Sequence, residues 1–125
     1  MSFVVDTNFI VAVISEDDVS HDKAVSLWDS LNEAYVPIIV IAELSYFFIR
    51  HKIDVGIISE ILRDSKIKVV ENNVQDIYFA IDHKDYIRHY DDFNDLIVLS
   101  TARRLGLPLI TFDDELLDLY HKLKS

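Results

Sequence analysis

The stretch FVVDTNFIVAVI, residues 3–14, decides the fold, because an apolar run of strand length is followed by an acidic break and then by a second apolar run. Residues 3–5 are predicted to form a buried strand, and residues 9–14 a short helix. Segments of these two kinds alternate along the rest of the chain. Such alternation is typical of an α/β protein with a parallel sheet that helices cover on both faces.

The remaining elements are predicted from apolar periodicity and from capping residues. Further strands are expected at residues 35–36, 67–70 and 109–111. Helices are expected at residues 20–31, 38–50, 54–65, 74–90, 92–105 and 115–123. Ser20 and Asp54 are the predicted N-caps of two helices, and Gly106 is a predicted C-cap. No repeat or linker divides the sequence, so residues 1–125 are expected to form one domain.

The composition excludes several classes of protein. The chain has no cysteine, which rules out disulfides, thiolate metal sites and cysteine nucleophiles. With only Gly56 and Gly106, it has no glycine-rich phosphate loop of the Walker or Rossmann type. The N-terminal residues lack the pattern of a signal peptide, and the uncharged apolar stretch at residues 35–42 is far shorter than the roughly 20 residues of a membrane helix. A soluble, cytoplasmic protein is expected.

Two aspartates directly follow predicted strands: Asp6 after residues 3–5, and Asp113 after the apolar run at residues 109–112. Ligands of open parallel sheets bind beyond the carboxyl ends of the strands, so acids at these positions are candidates for a site. Each aspartate is equally well placed to cap the following helix by accepting backbone N–H bonds. Taken alone, these two acids do not distinguish a site from two helix caps.

Glu43 and Asp95 are harder to explain as caps. Glu43 lies between Ile39 and Phe47 at a spacing of four residues, which predicts a position on a core-facing stripe, and Asp95 shares a helix face with Val98, Leu99 and Ala102. A buried carboxylate without a partner costs several kcal/mol. The structural alternatives are an ion pair of Glu43 with Arg50, and complementation of the helix dipole by Asp95. Asp91 and Asp92 are expected to serve the dipole from solvent, with Asp92 as a possible peripheral ligand.

The formal charge of −10 argues against broad electrostatic adhesion to nucleic acid. That objection weakens if several acids share one site, because four carboxylates in one cleft repel each other unless a divalent cation lies among them. Ligands that are all oxygen atoms favour Mg²⁺ or Mn²⁺. Such ions bind phosphate oxygens and activate water, so metal-assisted hydrolysis of phosphodiester bonds is the predicted chemistry.

Four short motifs occur in order along the chain: VDTN at residues 5–8, IAEL at 41–44, NDLIVLSTA at 94–102 and TFD at 111–113. In this order and spacing the sequence resembles the PIN domain, the nuclease fold of VapBC-type toxins and of several RNA-processing enzymes. The resemblance implies a three-layer α/β/α fold with a four- or five-stranded parallel sheet.

The same resemblance assigns roles to individual residues. It implies an acidic catalytic quartet and two polar positions beside the metal. The quartet is Asp6, Glu43, Asp95 and Asp113, of which Asp6, Asp95 and Asp113 are metal ligands, and the polar positions are Asn8 and Thr111. It further implies an RNA substrate, a Mg²⁺ or Mn²⁺ cofactor, a homodimer, and inhibition by a small antitoxin whose tail covers the cleft.

Several alternatives remain open at this level. Asp113 and Asp114 are adjacent, and we expect Asp113 to face the metal and Asp114 to cap the last helix. An inactive PIN-like module that binds RNA or protein would need the same fold. A magnesium-binding receiver domain shares the architecture, but the chain has Asp113-Asp114 where a receiver carries lysine. The aromatic residues 46–48 are expected in the core or an interface, with base stacking as the alternative.

Overall fold

Four parallel strands form the central sheet in the computed structural model, which describes residues 1–123. They are β1 (Ser2–Val5), β2 (Glu33–Pro37), β3 (Ile67–Val70) and β4 (Leu109–Ile110), arranged in the order β3-β2-β1-β4. In the register of β1, Ser2 is opposite Glu33 of β2, and Val5 is opposite Ile110 of β4. The predicted parallel sheet is confirmed.

Helices cover both faces of this sheet, as the complete burial of the neighbouring residues Val4 and Val5 on β1 requires. Residues 1–123 contain seven α-helices: α1 (Thr7–Ile14), α2 (His21–Ser30), α3 (Ile38–Arg50), α4 (Gly56–Ile61), α5 (Val74–Asp82), α6 (Tyr90–Leu105) and α7 (Asp114–Leu123). The core between the layers contains large apolar side chains, among them Phe9, Phe48, Leu44, Leu96 and Leu99. The fold is therefore the three-layer α/β/α arrangement. Within the described residues, no helix has both the length and the apolar character needed to cross a membrane.

The predicted helix at residues 74–90 is wrong, because the chain breaks into three parts. Helix α5 ends at Asp82, a 3-10 turn covers Lys84–Tyr86, and α6 begins at Tyr90. The Asp92 carboxylate accepts hydrogen bonds from the backbone N–H groups of Arg88 and His89, at 2.8 and 2.9 Å. This capping box holds the chain in an extended conformation before α6, which starts two residues earlier than predicted.

Two predicted caps also differ from the structure. Helix α4 is shorter than the predicted 54–65, because the Asp54 side chain accepts a hydrogen bond from Gly56 N at 2.8 Å in a turn that precedes the helix. Ser20 occupies the N-cap position of α2 without a side-chain capping bond. The C-cap at Gly106 is confirmed, since its φ of +67° lies in the left-handed region that glycine adopts without strain.

The strand order places a cleft at one edge of the sheet. From β1 the chain moves through β2 to β3 on one side, and β4 later pairs with the other side of β1. The order therefore reverses between β1 and β4, and this reversal is where open α/β sheets bind ligands. The residues that follow these two strands begin at Asp6 and Thr111.

Candidate active site

Asp6 lies at the carboxyl end of β1, and its carboxylate is held by three groups. Oδ1 accepts a hydrogen bond from Thr7 N at 2.9 Å, and Oδ2 accepts from Thr111 Oγ1 at 2.9 Å and from Asn8 Nδ2 at 3.3 Å. The residue is 5% exposed. Burial raises the pKa of Asp6 to about 6, although these hydrogen bonds oppose the increase. Asp6 is thus the N-cap of α1 and also a buried acid whose pKa lies close to neutral pH.

Asn8 and Thr111 tie α1 to the segment after β4. Asn8 donates to Thr111 Oγ1 at 3.2 Å and accepts from Phe112 N at 2.9 Å, while Thr111 Oγ1 accepts from Asp113 N at 3.0 Å. These contacts position Asp113 relative to Asp6. Both polar residues therefore lie where the sequence prediction put them, beside the acids.

Asp113 performs the capping role that was expected of Asp114. Its Oδ1 accepts hydrogen bonds from Glu115 N at 2.9 Å and Leu116 N at 3.2 Å, so it caps α7. Asp113 also lines the cleft, whereas Asp114 is exposed and does not. The predicted cap at Asp114 is wrong, because Asp113 itself caps α7 while it also lines the cleft.

Glu43 is half-buried on α3 and lines the cleft. The fully buried stripe of α3 consists of Val40, Leu44 and Phe48, so the predicted stripe through Glu43 is displaced by one position from the true core face. Oε1 of Glu43 accepts from Thr7 Oγ1 at 2.7 Å and Oε2 from Asn94 Nδ2 at 3.4 Å. Among the described residues the alternative ion pair with Arg50 does not form; Glu43 is held by neutral groups instead.

Asp95 lies in the second turn of α6, on the same face as three residues that are completely buried: Val98, Leu99 and Ala102. Within residues 1–123 its carboxylate has no hydrogen-bond donor. Burial, reinforced by the negative charges of Asp6, Asp113 and Glu43, raises the pKa of Asp95 to about 8. Asp95 is the carboxylate whose negative charge the protein itself stabilises least.

Asp92 has a different environment from Asp95. Burial raises its pKa, but the backbone hydrogen bonds from Arg88 and His89 outweigh that effect and lower the pKa overall. Asp92 lines a cleft together with Arg88 and Lys122. This second cleft shares Asp95 with the cleft that Asp113 and Glu43 line. Its hydrogen bonds assign Asp92 to the start of α6, so it stands beside the quartet and not within it.

One cleft of about 340 Å³ brings the quartet together: its lining includes Asp6, Glu43, Asp95 and Asp113, together with Asp18, a fifth acid that the sequence analysis did not single out. The donor set fits a hard divalent cation, because the four charged ligands are all carboxylates. As the side chains stand, no three such groups within residues 1–123 are placed to hold a metal ion. The carboxylates of Asp6, Glu43 and Asp113 are turned onto hydroxyl, amide and backbone N–H donors, which is expected where like charges meet without a cation. A divalent cation in the cleft would compete with these donors for the oxygen atoms of Asp6 and Asp113.

The structure adds two supporting residues that sequence reasoning did not single out. Thr7 and Asn94 hold Glu43, and both stand next to a predicted site residue within a quoted motif, which is the one signal that pointed to them. Their partner is 36 or 51 residues away in sequence, so no local pattern identifies the bonds.

A buried polar network behind the cleft was also missed. Asp76 has no exposed surface and accepts hydrogen bonds from Arg104 and Ser100, with the Arg104 Nη2 to Asp76 Oδ2 distance at 3.0 Å. Asn72 donates to Thr101 Oγ1 at 2.9 Å and accepts from Ile39 N at 2.9 Å. The network thus joins α5 and α6 to the start of α3. Helix α6 carries Asp95, and α3 carries Glu43.

Comparison with known proteins identifies a family. The sequence profile of the PIN domain matches residues 3–122. No curated protein sequence is significantly similar to this chain. The structure of Mycobacterium tuberculosis VapC20, a toxin that cleaves the sarcin-ricin loop, superposes with a TM-score of 0.79 at 20% identity over 94% of both chains. VapBC2 from Rickettsia felis, bound to a DNA fragment from its promoter, gives a TM-score of 0.65 at 20% identity over 94% of this chain and 92% of the other. At this identity the two likenesses establish the fold.

Proposed function

This chain belongs to the PIN domain family, and on that basis we propose that it is a metal-dependent endoribonuclease that hydrolyses phosphodiester bonds of RNA. The proposal is carried by the convergence of Asp6, Glu43, Asp95 and Asp113 on one cleft at the carboxyl edge of the sheet. The family assignment decides against the receiver-domain alternative. An inactive PIN-like module remains the competing function, and the quartet gives no reason to prefer it.

In this proposal Asp6, Asp95 and Asp113 hold one or two Mg²⁺ or Mn²⁺ ions. When bound, the ion supplies Lewis-acid polarisation of the phosphate and activation of a water molecule. Thr111 and Asn8 fix the orientation of Asp6. Glu43, oriented by Thr7 and Asn94, accepts a proton from the attacking water at a carboxylate oxygen.

RNA backbone binding is supported by the second cleft. Arg88, His89 and Lys122 line it together with the acids Asp92, Glu115 and Asp118, and it shares Asp95 with the acidic cleft, so its basic side chains offer phosphate contacts within a surface of mixed charge. Such contacts bind phosphates without reading the sequence. We further propose single-stranded or looped RNA as the substrate.

We further propose that the protein is a cytoplasmic toxin, inhibited by a small antitoxin and assembled as a homodimer. The similarity to VapC20 and VapBC2 supports the toxin role. The acidic cleft favours an antitoxin tail that carries basic side chains. Helix α5 supports the dimer, since Val74, Ile77, Tyr78 and Ile81 form an apolar stripe at helical spacing and are each 43% or more exposed.

The test is cleavage of a mixed single-stranded RNA pool with Mg²⁺, with Mn²⁺ and with EDTA. Wild type is expected to cleave only with a divalent ion, and Asp6→Asn to lose at least about 100-fold in rate, as expected when a metal ligand is removed. Asp114→Asn, an exposed acid next to the quartet, is the matched control and keeps its activity. Activity that survives chelation, or equal rates for wild type and Asp6→Asn, would refute the mechanism.

The toxin role has a separate test in growing bacteria. Induced wild type is expected to arrest growth and Asp6→Asn to allow it. If a neighbouring gene encodes a small protein, its co-expression should restore growth. Arrest by Asp6→Asn as strong as by wild type would contradict a toxin that acts through this site.

A further inference from the structure

The acidic cleft contains one aromatic ring within the described residues. Phe47 lies on α3 one turn after Glu43 and lines the cleft with the quartet and Asp18. Its neighbours in sequence lie elsewhere: Phe48 is 1% exposed in the core, and Tyr46 is 60% exposed and does not line the cleft. Of the three adjacent aromatic residues, Phe47 is therefore the one available to a molecule bound at the carboxylates.

The Phe47 ring is supported by the C-cap residue of α3 and by its neighbour in the helix. The ring of His51, one turn later, packs against it with the centroids 4.2 Å apart and the planes tilted by 33°. His51 Nδ1 also lies 2.9 Å from the carbonyl oxygen of Phe47, which fixes the imidazole in place. Phe48 contacts the ring at a centroid distance of 6.3 Å. Support of this kind lowers the entropy lost when a flat ligand stacks on the ring.

A phenyl ring makes no favourable interaction with the carboxylates of this site. It neither ligates a cation nor donates to a phosphate, and although Phe47 is partly buried and packs against the core, it also lines the cleft, which Phe48 does not. Flat nucleobases are what an aromatic ring binds in nucleic acids, because every base offers a π-face. A nucleotide needs two adjacent surfaces, one for its phosphate and one for its base. The carboxylates would match the first when they hold a metal ion, and Phe47 together with Val11, the other apolar residue of the cleft lining, matches the second.

We propose that Phe47 stacks on the base of the nucleotide next to the scissile phosphate and so positions that phosphate over the carboxylates. The proposal rests on the ribonuclease function proposed above. It supplies binding that does not depend on positive charge, which a protein of formal charge −10 has in short supply. Stacking of this kind tolerates any base, so Phe47 strengthens binding without defining a sequence.

The experiment compares two RNA probes of equal charge: a uridine octanucleotide and an abasic octamer with the same ribose-phosphate backbone. Binding is measured by fluorescence anisotropy with Mg²⁺ in an Asp95→Asn background, so that the RNA is not consumed. Stacking of one base predicts that the octanucleotide binds roughly 5- to 100-fold more tightly than the abasic probe. Phe47→Leu should remove that difference, and Phe47→Trp should keep it.

The controls separate stacking from a loss of structure. Tyr46→Leu removes an exposed aromatic residue from the same helix and should leave the preference for the base unchanged. The affinity for the octanucleotide should depend on salt concentration equally in the Phe47→Leu protein and in the protein that keeps Phe47, because the substitution removes no phosphate contact. If Phe47→Leu does not fold, the comparison of the two probes on the Phe47 protein still decides, since equal affinity there overturns the proposal.

Failure of the inference is distinguishable from failure of the proposed function. If wild type cleaves RNA but the Asp95→Asn protein binds both octamers equally, the ribonuclease stands and the stacking role of Phe47 is wrong. If Phe47→Leu prefers the base as strongly as Phe47 does, the stacking surface lies elsewhere and the proposal is also wrong. If wild type cleaves no RNA and binds neither octamer, both proposals fail.

Discussion

Replacement of Asp95 by asparagine should make the metal-free protein more stable, although it removes a proposed metal ligand. Asp95 is half-buried, faces three other carboxylates, and has no hydrogen-bond donor within residues 1–123. Asparagine has nearly the same shape and no charge, so the variant loses the electrostatic penalty and keeps the packing. A residue that contributes to function at the expense of stability is expected at an active site.

The size of the effect follows from the pKa of Asp95, which rises from 3.8 to about 8 on folding. Between pH 3.8 and pH 8, Asp95 holds a proton in the folded protein but not in the unfolded chain. Folding therefore takes up a proton, and the free energy of unfolding falls as pH rises. At pH 7 the full cost would be ~4 kcal/mol, because each pH unit above 3.8 contributes ~1.4 kcal/mol. Solvent reaches part of the side chain and screens it, so we expect a gain of ~1–3 kcal/mol for Asp95→Asn.

Thermal denaturation in EDTA at several pH values measures this gain. Wild type and Asp95→Asn should melt together near pH 4 and separate toward pH 8, with a difference of roughly 4–12 °C at the upper end. Asp17→Asn, which removes an exposed loop acid, should change the melting temperature little at any pH. A variant that melts at or below the wild-type temperature at pH 8 would refute the account of Asp95 as a destabilising charge.

Three further predictions concern the supports of the site and of the fold. Asp76→Asn should destabilise the protein by ~2–3 kcal/mol at pH 7 in urea denaturation, because it removes the charge partner of Arg104, which is 30% exposed. Burial raises the pKa of Asp76, but the hydrogen bonds from Arg104, Asn73 and Ser100 outweigh it and lower the pKa overall. The stability that Asp76 provides is therefore present above pH 4 and is lost on further acidification. A destabilisation by Asp76→Asn that is as large at pH 3 as at pH 7 would contradict this. Thr7→Val should reduce kcat for RNA cleavage by roughly 10-fold with little change in KM or melting temperature, because Glu43 loses its 2.7 Å hydrogen bond, and Thr7→Ser should restore the rate; a change confined to KM would argue against a positioning role. Lys52→Gly should stabilise the protein by ~0.5–1 kcal/mol, since Lys52 has a φ of 58° at the end of α3, and a loss of stability would show that its side chain matters more than its backbone.

The fold was predictable because its signals are local. Apolar runs, the alternation of strand and helix, and Gly106 at a helix end all act within a few residues. The break between α5 and α6 was missed for a related reason: Asp92 has the appearance of an ordinary first-turn acid, and only its hydrogen bonds to Arg88 and His89 reveal that the preceding chain is extended. Helical periodicity continues across such a break in the sequence but not in the structure.

The acids of the candidate site were predictable, as were Asn8 and Thr111 beside Asp6, but the supports of Glu43 were not. Asp6 and Asp113 follow strands, and Asp95 interrupts an apolar helix face, so sequence position alone singles them out. Glu43 was selected on a stripe one position away from the true core face of α3, and it is half-buried where full burial was expected. Its bonds to Thr7 and Asn94, and the network around Asp76, join residues far apart in sequence, which periodicity does not reveal.

The most direct test of the central claim, that four acids form one metal site, is calorimetric titration of the metal-free protein with Mn²⁺. Wild type should bind one or two ions, and Asp95→Asn and Asp113→Asn should each weaken that binding at least about 10-fold, while Asp17→Asn binds as wild type does. Binding of Mn²⁺ that is the same in wild type, Asp95→Asn and Asp113→Asn, or no binding by wild type, would contradict a metal centre built from these carboxylates.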